Sequence, residues 1–227
     1  VFAETFYAGL NSFVLLSIPM FILMGMAVAN SPAGKDLYTG LDRWLWRVPG
    51  GLVISNIGAC SIFAALSGSS PATCAAIGTM GIPEMRKRGY SDQIATGTIA
   101  AGGTLGVLIP PSIVLIVYGM ATGTSIGRLF LAGIVPGFML ASLFAVWALI
   151  HSYFIDKNAA KLLRNRKPPT LREKFEVLPR IFPFLAIIIG VLYVLYGGVA
   201  TPSEASGVGA FLVFVMIAVV YKIYQPK

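Results

Sequence analysis

From Val48 to Pro83 the chain runs for about 36 residues without one charged side chain, and basic residues close the run at both ends: Arg43 and Arg47 before it, Arg86, Lys87 and Arg88 after it. A bilayer crossing needs about 20 predominantly apolar residues, and loops rich in Lys and Arg stay on the cytoplasmic side. Both ends of the run therefore belong to one side, yet the run is too short for two crossings and a turn. These demands fit a re-entrant helical hairpin with arms over about Gly51 to Leu66 and Ala72 to Ile82. Its tip, "SGSSP", lies near the bilayer midplane. Irregular backbone at that depth is tolerated only where protein buries it or where it lines a watery cavity. Ser67, Ser69 and Ser70 are suited to capping a new helix there, with Pro71 in its first turn.

Composition places the rest of the chain in the same solvent. Of 227 residues 56% are hydrophobic and 11% charged, and the mean hydropathy is +0.80, which sets the chain apart from ordinary soluble domains. The net charge of +8 is dispersed over short loops between apolar runs, which reads as positive-inside topology and not as a nucleic-acid surface. Cys60 and Cys74 lie in apolar sequence and imply neither a disulfide framework nor a metal site. Val1 is not an initiator methionine, and the chain is expected to lie within a longer gene product or to follow a processed end.

A second charge-free run, Gln93 to Gly127, is too long for one helix and carries its own interruption. Gly102, Gly103 and Gly106 loosen its first half, and Pro110-Pro111 ends that half before Ser112 starts another. It reads as one discontinuous span over about 93–123. Ordinary spans are expected from Asn11 to Ala29, Leu129 to Ile150, Ile181 to Ala200 and Ser206 to Tyr224, with a basic cytoplasmic linker over 151–180. In this division 1–47 holds a span and an amphipathic cytoplasmic arm, 48–127 the interrupted elements, and 128–227 the remaining spans. Every basic loop falls on one side only if the Val48 to Pro83 run does not cross.

A helix broken in mid-membrane leaves carbonyls free where the first half ends and N–H groups free where the second begins. The carbonyls suit a sodium ion, and the N–H groups, at the positive end of a half-helix dipole, suit a carboxylate. Candidate cation ligands are Ser67, Gly68, Ser69, Gly103, Thr104, Gly106 and Ile109. Candidate substrate contacts are Ser69, Ser70, Pro71, Thr73, Pro111 and Ser112. Each feature also has a plainer reading: the glycines as close helix packing, the proline pair as a kink. Two interruptions in two over-long runs favour the transport reading. Catalysis is poorly supplied, since His151 sits at a helix end and the serines have no neighbouring base. Glu204 in "TPSEA" reads as helix-start chemistry with Thr201 or Ser203 as the cap.

The ordered stretches "IPMFILMG" (Ile18 to Gly25), "LSGSSPATCAAIG" (Leu66 to Gly78), "IPEMRKRGY" (Ile82 to Tyr90), "AAGGTLGVLIPPSIVLIVYG" (Ala100 to Gly119), "SIGRLFLAGIVPG" (Ser125 to Gly137) and "GGVATPSEASGVGAF" (Gly197 to Phe211) resemble the large membrane subunit of tripartite ATP-independent periplasmic transporters. The resemblance implies an all-α membrane protein of the bacterial inner membrane, half of an inverted-repeat, elevator-type transporter. It implies sodium-driven import of small organic anions such as dicarboxylates or sialic acids. The implied partners are a periplasmic substrate-binding protein, a small membrane subunit and the remaining half of the large subunit. Many members carry an acidic residue near the position of Thr73, so a cation site here must rely on neutral oxygens. A channel, or a structural membrane subunit without its own ion site, would use similar helices; uphill sodium-coupled accumulation excludes the first, and sensitivity of transport to the tip excludes the second.

Overall fold

The computed structural model describes residues 2, 4, 7, 11–48, 50–155, 169–176 and 178–221, and these are all helix, turn or loop, with no strand among them. After a 3-10 turn at Phe13–Leu16, α1 (Ser17–Ala29) and α2 (Ala33–Trp44) follow one another at an angle of 66°. The chain then forms α3 (Gly51–Ser67) and α4 (Ser70–Lys87), followed by α5 (Asp92–Leu108) and α6 (Ile113–Thr122). Beyond these lie α7 (Ile126–Ile150), which runs into a π-helical turn at His151–Ile155, then α8 (Leu171–Glu176), α9 (Leu178–Tyr196) and α10 (Pro202–Tyr221).

The helix α3 is apolar around its whole circumference and is buried accordingly: Leu52, Val53, Ile57, Cys60, Phe63 and Leu66 are all inaccessible or nearly so, as expected for a helix enclosed by others. Its 17 residues span about 26 Å, short of a hydrocarbon core of about 30 Å. The chain turns back at once through Gly68, whose φ of 58° is left-handed, and Ser69, which is extended. Deep in the hairpin Asn56 Nδ2 donates to Met85 Sδ at 2.8 Å, so residues far from the tip on α3 and α4 face each other and the pair forms an antiparallel hairpin. The second arm begins earlier and ends later than expected. Its helix starts at Ser70 and continues through Pro83 to Lys87, because the lost hydrogen bond of one proline is outweighed by packing on α3 and α5.

Close backbone approach, and not bulk, joins these elements, which is how helices associate in lipid. A Cβ on Gly25 of α1 would lie 2.7 Å from Ser67 Cα, one on Gly102 of α5 would lie 2.9 Å from Cys60 Sγ, and one on Gly133 of α7 would lie 2.7 Å from the Leu108 carbonyl oxygen.

Among the described residues three helical stretches are long and apolar enough to cross a membrane: Asp92–Thr122, Ile126–Phe154 and Pro202–Tyr221. The bent pair Phe13–Ala29 and Ala33–Trp44 qualifies as a fourth if taken together. Two of the expected single spans are thus shorter than the sequence suggested. The expected Asn11 to Ala29 span keeps its end at Ala29, but its 3-10 turn begins only at Phe13 and its α-helix at Ser17, and the apolar part of α9 covers only Ile181–Tyr196. There Gly198, with φ 66°, turns the chain and the Val199 N–H bonds back to the Val194 carbonyl at 3.1 Å. Helix α10 starts at Pro202, within the "TPSEA" read as a helix start and four residues ahead of Ser206, where the span itself was expected to begin; Thr201 and Glu204 form a capping box, with Thr201 N–H donating to Glu204 Oε2 at 2.8 Å and Glu204 N–H to Thr201 Oγ1 at 3.3 Å. Residues 156–168 and 177 of the basic linker, and 222–227 at the end of the last expected span, lie outside the described residues.

Candidate functional site

The tip of the hairpin and the break between α5 and α6 meet. Ile113 N–H donates to the Gly68 carbonyl at 3.1 Å, and a Cβ on Gly68 would lie 2.6 Å from the Pro111 carbonyl oxygen. On the other side of the tip a Cβ on Gly106 would lie 2.7 Å from both Ser69 C and Ser70 N, while one on Gly103 would run into Cys74 Sγ. Three glycine-sized gaps thus seat the tip against the end of α5 and the break that follows it. Gly103 and Gly106 serve the close packing that was the plainer reading, and the same packing brings the two interruptions into one place.

Within the tip the hydroxyls form a closed set. Ser67 Oγ and Thr73 Oγ1 are 3.0 Å apart, and Thr73 Oγ1 donates to the Ser69 carbonyl at 2.8 Å. Ser67 and Thr73 are buried, and the side-chain groups that hold the turn are neutral hydroxyls. Ser70 Oγ is buried and has no hydrogen-bond partner among the described residues. Pro71 is exposed beside it in the first turn of α4.

At the break, Ile109 and Ser112 are extended and the Pro110-Pro111 peptide is cis. Ser112 caps α6, its Oγ accepting from Leu115 N–H at 3.5 Å. Pro110 stands where a helix would supply the N–H for the Gly106 carbonyl, and Pro111 likewise for Val107, so these two carbonyls have no helical donor. The expected free N–H groups are only partly free, because Ile113 N–H is taken by Gly68. Thr104 sits on the opposite, exposed face of α5 with its hydroxyl on the Ala101 carbonyl at 2.6 Å. The structure therefore brings Ser67, Gly68, Ser69, Ser70, Thr73, Gly103, Gly106, Pro111 and Ser112 together, leaves Ile109 beside them on α7 at Gly137, and turns Thr104 away.

Sequence reasoning missed one neighbour of this site and one anchor far from it. Gly25 of α1, within the motif "IPMFILMG", packs on Ser67, and the end of the hairpin remote from the tip is clamped by ions. Arg88 donates from Nη1 and Nη2 to the two carboxylate oxygens of Asp42 at 3.2 and 3.0 Å, and from Nη2 to Glu84 Oε1 at 2.6 Å. Burial disfavours its charge, but Asp42 and Glu84 outweigh that and shift the guanidinium pKa further up. Arg88 was read only as a marker of sidedness.

The family model of the tripartite ATP-independent periplasmic transporter DctM component matches residues 1–226. The chain is 38% identical over 223 residues to the C4-dicarboxylate TRAP transporter large permease protein DctM of Vibrio cholerae, covering 97% of this chain and 48% of that protein. It is 36% identical over 209 residues to the isethionate TRAP transporter permease protein DctMQ of Oleidesulfovibrio alaskensis, covering 92% of this chain and 32% of the relative. It is 32% identical over 219 residues to the sialic acid TRAP transporter large permease protein SiaM of Vibrio cholerae, covering 96% and 50%. The chain spans about half the length, or less, of these relatives. Their names are those of transporters and not of enzymes. An all-helical chain with several membrane-length apolar helices, matched from residue 1 to residue 226, belongs to the DctM component family of tripartite ATP-independent periplasmic transporters.

Proposed function

We propose that this chain forms one half of the transport site of a sodium-coupled secondary transporter of the bacterial inner membrane, importing small organic anions. The observation that carries the reading is the hydrogen bond from Ile113 N–H to the Gly68 carbonyl, which ties one mid-membrane interruption to the other. Carbonyls deprived of donors by Pro110 and Pro111, with the neutral oxygens of Ser67, Gly68, Ser69, Gly103, Gly106 and Ile109 around them, suit a hard monovalent cation. The start of α4 supplies Ser70 and Pro71, and the start of α6 supplies Ser112. Two partly buried helix starts contribute about 0.3 to 2 kcal/mol each toward an anionic group, enough to orient a carboxylate and weak enough to release it.

The substrate class follows from the relatives named for C4-dicarboxylate, isethionate and sialic acid. In this reading the hairpin is re-entrant and moves with α5 and α6 as an elevator. A periplasmic binding protein delivers the substrate, and a small membrane subunit and the other half of the large subunit complete the complex. The test is uptake by the full complex in liposomes with a panel of C4-dicarboxylates and sialic acid. Accumulation against a gradient that requires external sodium is expected. Uptake unchanged when potassium replaces sodium removes the coupling, and downhill flux alone makes the protein a channel.

A further inference from the structure

Beyond the transport site, α2, the turn that follows it and α8 carry a cluster of cations and aromatic rings that the proposed function does not use. Trp44 and Phe175 meet edge to face with ring centroids 5.9 Å apart, and both are about half exposed. The Arg47 guanidinium lies 5.3 Å from the Trp46 ring centroid and the Lys174 ammonium 5.9 Å from the same centroid, within cation–π range. Arg43 Nη1 donates to the Glu173 carbonyl at 2.7 Å, closing α2 onto α8.

The acids of these two helices are largely engaged elsewhere. Asp42 is held by Arg88 and Asp36 accepts from Tyr221 Oη at 3.1 Å. Glu173 accepts from Thr170 N–H at 2.8 Å, a bond that, with the Thr170 hydroxyl, holds its carboxyl below the usual carboxylate range. Glu176, exposed at the end of α8, is the remaining acid. Among the described residues Arg43, Arg47 and Lys174 form no ion pair with a carboxylate.

We propose that this cluster is a docking site for the headgroup of an anionic membrane phospholipid. Arg47 is exposed and Arg43 and Lys174 are half-buried beside it, next to tryptophans of the kind that sit in a membrane interface, on the side that the basic loops assign to the cytoplasm. Trp44 and Phe175 give the glycerol and upper acyl region an apolar floor, while Arg43, Arg47 and Lys174 supply charge complementary to a phosphodiester. A soluble anion would use the cations and leave the exposed rings uncovered, whereas a lipid uses both. Bound there, the lipid joins α2, which Arg88 fastens to the hairpin, to α8.

The test uses the full transporter complex in neutral detergent, titrated with short-chain phosphatidylglycerol or phosphatidylcholine and followed by its thermal transition. Phosphatidylglycerol is expected to raise Tm at concentrations well below those phosphatidylcholine needs. Arg47→Gln and Lys174→Gln should each weaken the phosphatidylglycerol response about fivefold, with Tm in phosphatidylcholine unchanged, and Lys174→Arg should retain it. Arg47→Gln leaves the Arg43 hydrogen bond in place, so its effect is not a loosened α8. Equal responses to the two lipids, or a phosphatidylglycerol response that survives both Gln substitutions, overturns the proposal. So does a full response to glycerol 3-phosphate alone, which assigns the cluster to a soluble anion.

Discussion

Arg88 and Gly68 lie at opposite ends of the hairpin, and the sequence discloses only one of them. A glycine between serines in an apolar run, followed by proline, announces a turn. An arginine in "EMRKRGY" reads only as a marker of sidedness, its bidentate partner Asp42 is 46 positions away, and no local pattern points to it. Removing one partner of a largely buried pair leaves the other uncompensated, so Asp42→Ala is expected to destabilise the complex by about 2 to 3 kcal/mol, below the full cost of a fully buried pair because Arg88 keeps some solvent. Thermal unfolding checks this, and the Asp42→Ala, Arg88→Ala double variant should lose less than the two single losses added together. At the tip, Gly68→Ala must hold a left-handed residue at about 1 to 2 kcal/mol and push its Cβ toward the Pro111 carbonyl 2.6 Å away. It should lower Tm and raise the sodium concentration for half-maximal uptake. Ser70→Ala separates function from stability: it deletes a buried hydroxyl without a partner, so stability should hold or rise by up to about 1 kcal/mol. The substrate concentration for half-maximal uptake should nevertheless increase. Unchanged uptake kinetics would remove Ser70 from the substrate site.

The elements were legible where punctuation is chemical and illegible where packing decides. Proline pairs, left-handed glycines and capping serines marked the break at 109–112 and the turn at 68–69, and Thr201 with Glu204 marked the start of α10. Pro83 misled, because a proline near a helix end ends a helix only if no neighbour holds it, and here Asn56, Met85 and Ile99 surround that turn. That the glycines of α5 face Cys60, Cys74 and the tip is a long-range fact that their spacing alone cannot fix. The element-scale prediction concerns sidedness. An arm about 26 Å long cannot comfortably span about 30 Å of hydrocarbon, and Arg47 and Lys87 close the two ends of the hairpin. Single cysteines at these exposed positions, in a background lacking Cys60 and Cys74, should react with an impermeant thiol reagent from the cytoplasmic side only. Labelling of the two from opposite sides would make the hairpin a pair of crossings.

At the scale of the molecule, the kind of residue left exposed distinguishes the surfaces. Helices α1, α6, α7 and α10 expose large apolar side chains, among them Ile22, Val117, Val135, Phe138 and Phe211. Between Trp44 and Val114, by contrast, no described large apolar residue is exposed, although this stretch holds both hairpin arms and α5. The outer face there is small or hydroxylated: Pro71, Ala75 and Thr79 on α4, Thr96, Ala100 and Thr104 on α5. Lipid is well matched by large apolar side chains, whereas small residues let another backbone approach. The face of α4 and α5 is therefore expected to be covered by protein in the whole transporter, and the face of α7 by lipid. Under the function proposed above, the other half of a large subunit is the cover this face would take. Two substitutions of similar size discriminate between these surfaces. Ala100→Phe on the small face should cost about 1 to 3 kcal/mol through overpacking and reduce sodium-driven uptake, with the loss read as lowered Tm of the assembled complex. Val135→Phe on α7 enlarges a residue already 73% exposed and should leave both quantities near their native values. If Ala100→Phe is as silent as Val135→Phe, the small-residue face is bathed in lipid or water, and the cover proposed for it must lie elsewhere.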